Sequence, residues 1–252
     1  MTTFSPDSKL VARVAPSPNH DERQAAIDMI ILHYTGMAGA DDALARLCDP
    51  AAKVSCHYFV AEDGAISQLV PEERRAWHAG VSSWQGVSDI NSHSVGIEIV
   101  NPGHDFGYPD FPAVQVDAVI ALCRDVMARR RVPVDRVLAH SDVAPARKQD
   151  PGEKFPWRKL NAAGIGLWVE PTKIVPGPEL DPGDRSEIVR KLQSWLRDLG
   201  YEVAVNGRFD VATKDAVTAF QRHFRSDRVD GIADHSTVET LKRLLVGRHA
   251  LD

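Results

Sequence analysis

Cysteine is scarce in this chain: three residues, Cys48, Cys56 and Cys123, in 252. An odd count without C-x-x-C spacing supplies neither a disulfide framework nor a cysteine-rich metal site, so reduced structural thiols are expected. No serine or cysteine sits in a nucleophile motif, which argues against a metal-free hydrolase. No apolar run approaches the roughly 18 residues of a membrane span, so no membrane insertion is expected. Neither charge dominates. Thirty Lys and Arg against 35 Asp and Glu leave a formal charge of −5, with no general attraction for nucleic acid. Met1 to Val14 contains no apolar segment followed by a small-residue cleavage site, so the cytoplasm is the expected compartment. A periplasmic or cell-wall-associated location is the alternative.

A hydrophobic fraction of 43% is enough for a substantial core, and the length suits a medium domain plus a smaller one. Ile27 to Leu32 is an apolar run of strand length, fit to be buried on both faces of an α/β sheet, and it ends in His33-Tyr34-Thr35-Gly36. His57-Tyr58-Phe59-Val60 and Ile66 to Val70 form a hairpin turned at Glu62-Asp63-Gly64. Ser94 to Val100 is another strand, with Glu98 in its apolar run. Pro112 to Arg131 has the spacing of an amphipathic helix, and Arg129-Arg130-Arg131 is expected to be its solvated end. Val81 to His93 is loop-like.

The chemistry concentrates between Ala139 and Gly152. Pro145 and Pro151 make that stretch a loop, and His140 enters it from the short strand Arg136 to Ala139. His140 and Asp150 are both good zinc donors. His33 occupies an equivalent place at the carboxyl end of another buried strand, where ligand sites gather in α/β sheets. A lone histidine there is more often a packed core residue; two of them, one trailed by a Lys-x-Asp loop, favour a metal. Glu98 is either a glutamate on a solvated face or, if buried, a base with a raised pKa. Ala76-Trp77-His78-Ala79-Gly80 is a core anchor or the wall of a substrate groove.

Val169 to Gly183 is rich in proline and glycine and has the composition of a semi-extended linker. Beyond it the pattern [N/D]-G-x-x-D-x-x-T occurs twice, from Asn206 and from Asp230. Each copy places an aspartate to cap a helix, near Val211 and near His235. A third helix precedes them, with Ile188, Leu192, Trp195, Leu196 and Leu199 on one face and Gly200 as its stop. The remaining stripes are Ala216, Val217, Phe220 and Phe224, then Val238, Leu241 and Leu245. His223, His235 and His249 are expected on the surface.

Taken together, Leu32-His33-Tyr34-Thr35, Ala76 to Gly80, Gly96-Ile97-Glu98, His140 to Pro145 and Arg147 to Gly152 resemble, in order, the zinc-dependent N-acetylmuramoyl-L-alanine amidases of the type-2 amidase family. The resemblance spans about residues 16 to 168. It implies a mixed central sheet flanked by helices and one zinc ion held by His33, His140 and Asp150. It also implies Glu98 as general base and Lys148 as stabiliser of the oxyanion. Tyr34, Trp77, His78 and Asn91 are then expected along the groove for a peptidoglycan or muropeptide substrate. Asn206 to Gln221 resembles the peptidoglycan-binding type-1 domain. The expected organisation is therefore a catalytic domain over 1–168, a linker over 169–183 and an all-α three-helix domain over 184–252, in a monomer. A non-catalytic peptidoglycan-recognition protein and an unrelated zinc hydrolase are the alternatives. Preference for 1,6-anhydro or intact murein stays open.

Overall fold

The computed structural model describes residues 4–249. In chain order its elements are β1 (Arg13–Val14), β2 (His20–Glu22), β3 (Met29–Tyr34), α1 (Ala40–Cys48), β4 (Tyr58–Val60), β5 (Ile66–Gln68), β6 (Arg74–Ala76), β7 (Ser83–Trp84), β8 (Val87–Ser88), α2 (Ile90–His93), β9 (Ser94–Ile99), α3 (Ala113–Arg130), β10 (Val137–Ala139), α4 (His140–Val143), α5 (Trp157–Ala162), α6 (Glu187–Leu199), α7 (Val211–Phe224) and α8 (His235–His249). Six strands form a mixed sheet in the order β1-β5-β4-β9-β3-β10. Only the β4–β5 hairpin is antiparallel; β3 runs parallel to both β9 and β10.

Strand β3 is apolar throughout because both of its faces are covered. Ile30 and Leu32 pack under α3 and α5 with Val119, Cys123, Val126 and Leu160. Met29 and Ile31, one residue out of phase, face the C-terminal helices and join Leu192, Leu196, Val217, Phe220 and Leu241 in one continuous core. The three-helix module is present as the sequence predicts, but it shares its interior with the second face of the sheet. Residues 169–183 run along α8: Thr172 N donates to Thr240 Oγ1 at 3.0 Å, and Leu180 bridges to Ala233.

The doubled sequence pattern has a physical reading. Gln193 and Gln221, both fully buried, each accept two backbone N–H groups at the following turn with Oε1: Asn206 and Gly207 in one case, Asp230 and Gly231 in the other. Asp210 caps α7 through Thr213 N at 2.9 Å, and Asp234 caps α8 through Thr237 N at 2.7 Å.

Several local expectations fail. Arg129 and Arg130 do not form a solvated helix end: their guanidiniums reach back to Glu72, a fully buried carboxylate that also accepts the Tyr58 hydroxyl. Residues 81–93 contain the β7–β8 hairpin and α2. In α6, Val189 rather than Ile188 joins Leu192, Leu196 and Leu199 on the buried face, and Ile188 is 60% exposed. His235 is exposed, but His223 is 1% exposed and belongs to the interior. The side chain of His249 lies outside the described residues.

Candidate active site

His33 is the penultimate residue of β3 and His140 opens α4, directly after β10, so adjacent parallel strands deliver both imidazoles to the carboxyl end of the sheet. The stretch expected to be a loop from Ala139 onward begins with this helical turn and is irregular only after Val143. It then folds back so that Asp150 lies beside both rings. His33 Nδ1 stands 2.9 Å from His140 Nδ1 and 3.1 Å from Asp150 Oδ2, and His140 Nδ1 stands 2.9 Å from the same oxygen. All three residues are buried.

Hydrogen bonds behind the rings assign their tautomers. The Ser94 hydroxyl donates to Ile90 O at 2.6 Å, so its oxygen accepts His78 Nε2–H at 3.2 Å. His78 Nδ1 is then bare and accepts His33 Nε2–H at 3.0 Å, which leaves His33 Nδ1 without a proton. His140 Nε2–H donates to Ala79 O at 3.1 Å, which likewise leaves its Nδ1 bare. Two nitrogen lone pairs and a carboxylate oxygen therefore face one another with no hydrogen between them. That arrangement is repulsive unless a cation lies among the three. Two donors of a tetrahedral ion bound at roughly 2.0–2.1 Å are about 3.3 Å apart, close to the separations seen here. His33, His140 and Asp150 can thus hold a metal ion.

Burial favours the neutral imidazole, the form in which His33 can bind a metal. Burial, reinforced by His140, lowers the His33 pKa to about 4. Burial, with His33 and His57 beside it, holds His78 well below its ordinary value. Burial alone would raise Asp150, but the imidazoles of His140 and His33 beside it outweigh burial and hold the carboxyl well below the usual range.

Glu98 lies directly opposite His33 in the β3–β9 register and is 8% exposed. Its Oε2 has no hydrogen-bond partner among the described residues. Burial, then the charge of Asp150, pushes its pKa well above the ordinary value, and Lys148 opposes the shift. Gly96, two residues earlier, has a steric role: a Cβ there would stand 2.4 Å from the His78 ring.

A cleft of about 360 Å³ opens over the site, lined by His33, Glu98, His140 and Asp150 with Tyr34 and Lys148 at its walls. Lys148 is exposed. His78 also lines the cleft but lies behind His33. Trp77 and Asn91 are not among the lining residues. Trp77 is half-buried, and Asn91 Oδ1 accepts the backbone N–H groups of His78 and Ala79 at 3.0 and 2.7 Å. Sequence reasoning missed the group behind Tyr34, where the phenol meets His104 Nδ1 at 3.0 Å and His104 is stacked on Tyr108. The Tyr108 hydroxyl donates to Pro151 O at 2.7 Å and so braces the Asp150 loop. Single aromatic residues in a Gly-rich segment carried no periodic signal.

Donors for a metal ion, an unpaired carboxylate and an open cleft together define a hydrolase of the α/β class. Comparison with known proteins names the family. Residues 23–153 match the N-acetylmuramoyl-L-alanine amidase family, and residues 185–241 match a peptidoglycan binding domain. The chain is 34% identical to the N-acetylmuramoyl-L-alanine amidase AmiD of Escherichia coli over 241 residues, covering 87% of this chain and 82% of the relative. It is 33% identical to the 1,6-anhydro-N-acetylmuramyl-L-alanine amidase AmpD of Citrobacter freundii, covering 60% of this chain and 89% of the relative. The structure of E. coli AmiD with anhydro-N-acetylmuramic acid-L-Ala-D-γ-Glu-L-Lys superposes with a TM-score of 0.76 at 32% identity, covering 92% of this chain and 94% of that one. AmpDh3 of Pseudomonas aeruginosa superposes with a TM-score of 0.73 at 28% identity, covering 98% and 99%. The chain belongs to the N-acetylmuramoyl-L-alanine amidase family and is an enzyme of that activity.

Proposed function

We propose that this amidase uses zinc to cleave the amide between the lactyl group of N-acetylmuramic acid, including its 1,6-anhydro form, and the L-alanine of the stem peptide. The observation that carries the reading is the unpaired Glu98 carboxylate directly across the β-ladder from His33. His33, His140 and Asp150 are the zinc ligands. Three protein donors leave a tetrahedral ion one open position, as in catalytic zinc sites. Zinc, when bound, supplies a Lewis acid that activates water and polarises a carbonyl. Glu98 accepts the proton of the attacking water and returns it to the departing alanine amine. Lys148, a cation on the cleft wall, stabilises the oxyanion. Tyr34 and His78 shape the groove, whereas Trp77 and Asn91 act from behind it.

The substrate is a muropeptide or murein strand, and the complex of AmiD with an anhydro-muropeptide favours the anhydro form. The chain acts as a monomer, with a catalytic domain over 1–168, a linker over 169–183 and a murein-binding module over 184–252. Its three free thiols suit a reducing cytoplasm. The test is mass analysis of products from an anhydro-muropeptide and from whole sacculi, with and without a chelator. Free stem peptide that disappears on chelation supports the reading; intact substrate, or chelator-resistant release, refutes it.

A further inference from the structure

Asp142 is a fully buried carboxylate two residues after His140. Its Oδ2 accepts the backbone N–H of Ala139 at 2.8 Å, which closes the turn of α4 around the base of His140. Both other donors to this carboxylate come from the C-terminal module. The Tyr201 hydroxyl donates to Oδ1 at 2.8 Å, and His223 Nδ1–H donates to Oδ2 at 2.7 Å. Tyr201 and His223 are each 1% exposed. Neither ring is free to turn away. His223 is stacked against Trp157 and Phe224, with centroids 3.7 Å apart in both cases, and Tyr201 meets Trp84 edge-on at 5.1 Å. Gly200 permits that last contact, because a Cβ there would stand 2.4 Å from the Trp84 ring.

An interface that served only to tether a wall-binding module would gain nothing from a buried carboxylate, which is unfavourable in an apolar setting unless its hydrogen bonds are complete. Once complete, those bonds fix its position from both sides, and a group so fixed orients whatever is attached to it. What is attached here is the turn whose first residue is His140.

We propose that Tyr201 and His223 are positioning residues of the metal centre: by holding Asp142, the C-terminal module sets the placement of His140 and thereby the grip on the metal. The inference rests on His140 being a ligand. It gives the module a second role, independent of murein binding.

The test uses the full chain and reads metal directly, by competition for zinc with a chromogenic chelator and by the rate of zinc loss. Tyr201→Phe/His223→Phe keeps the ring packing and removes both donors; it is expected to bind zinc about 10–100-fold more weakly. His223→Asn restores a donor at the place of Nδ1 and is expected to stay near wild type. Leu241→Ala, in the shared core but away from Asp142, is expected to lower the melting temperature while leaving zinc affinity unchanged. Unchanged zinc affinity in the double variant overturns the inference, as does an equal loss in Leu241→Ala. A wild-type chain that binds zinc but releases no peptide refutes the amidase reading while leaving this inference standing.

Discussion

His33 and Glu98 sit directly opposite one another on adjacent parallel strands, one with its imidazole beside His140 and Asp150 and the other carrying a buried carboxylate oxygen with no partner among the described residues. The ladder sets their separation, so the assigned base is held beside the ligand cluster by backbone hydrogen bonds rather than by a loop. Changing Glu98 should therefore affect proton transfer without dismantling the ligand set.

Glu98→Ala is expected to retain stoichiometric zinc while its turnover falls by about 10²–10⁴-fold, the usual contribution of a general base. Metal analysis alongside kcat at saturating muropeptide measures both. Unchanged turnover contradicts the role of Glu98.

Asp150→Ala removes one donor from a cluster of three, and the variant is expected to lose the metal. A ligand that binds only the folded chain stabilises it by roughly 4 kcal/mol at a thousand times its dissociation constant. Chelation should therefore lower the melting temperature of the wild type and leave that of Asp150→Ala unchanged. Thermal unfolding with and without chelator decides; an equal shift in both proteins is the opposing result.

His78 accepts the Nε2–H of His33 at 3.0 Å and keeps that ring presenting its bare Nδ1. His78→Leu is expected to weaken zinc binding by about 10–100-fold, the range found when an outer hydrogen-bond partner of a metal-ligating histidine is removed. Gly96→Ala should act in the same direction, because the added methyl would displace the His78 ring. Chelator competition on both variants is the measurement, and wild-type affinity in both runs against the account.

Glu72 predicts a pH effect remote from the metal donors. Burial alone would raise its pKa, but hydrogen bonds from Arg129, Tyr58 and Arg130 bring it down to about 2 from an ordinary 4.5. A lowered folded-state pKa gives stability that is complete above about pH 4.5 and is lost as the pH falls toward 2. The loss is on the order of 2–3 kcal/mol. Denaturation at pH 6, 4 and 3 should show a smaller acid loss in Glu72→Gln than in the wild type, on top of a uniform destabilisation of roughly 3 kcal/mol. Parallel pH profiles contradict this.

Sequence periodicity made much of the fold legible, because each of its features has a short-range cause. Met29 to Leu32 is apolar on both faces, histidines follow two such runs, and Asp210 and Asp234 stand where helix caps are needed. Glu98 was conspicuous as a carboxylate in an apolar strand. What escaped depends on long-range packing. The stripes of α6, α7 and α8 show that an apolar face exists but not which surface covers it, so the shared core with Met29, Ile31 and Leu138 could not be read. His223 looked like a surface residue because its partner, Asp142, is 81 positions away. Arg129 and Arg130 looked solvated for the same reason, with Glu72 more than fifty residues upstream. The turn at His140 is four residues long, too short for periodicity to mark.

The most direct measurement is anomalous X-ray diffraction at the zinc edge from crystals of the zinc-loaded protein. The account predicts one peak per chain, bonded to His33 Nδ1, His140 Nδ1 and Asp150 Oδ2 at about 2.0–2.2 Å, with Glu98 close by but not coordinated. A peak that lies elsewhere, or that lacks any one of these three donors, contradicts it.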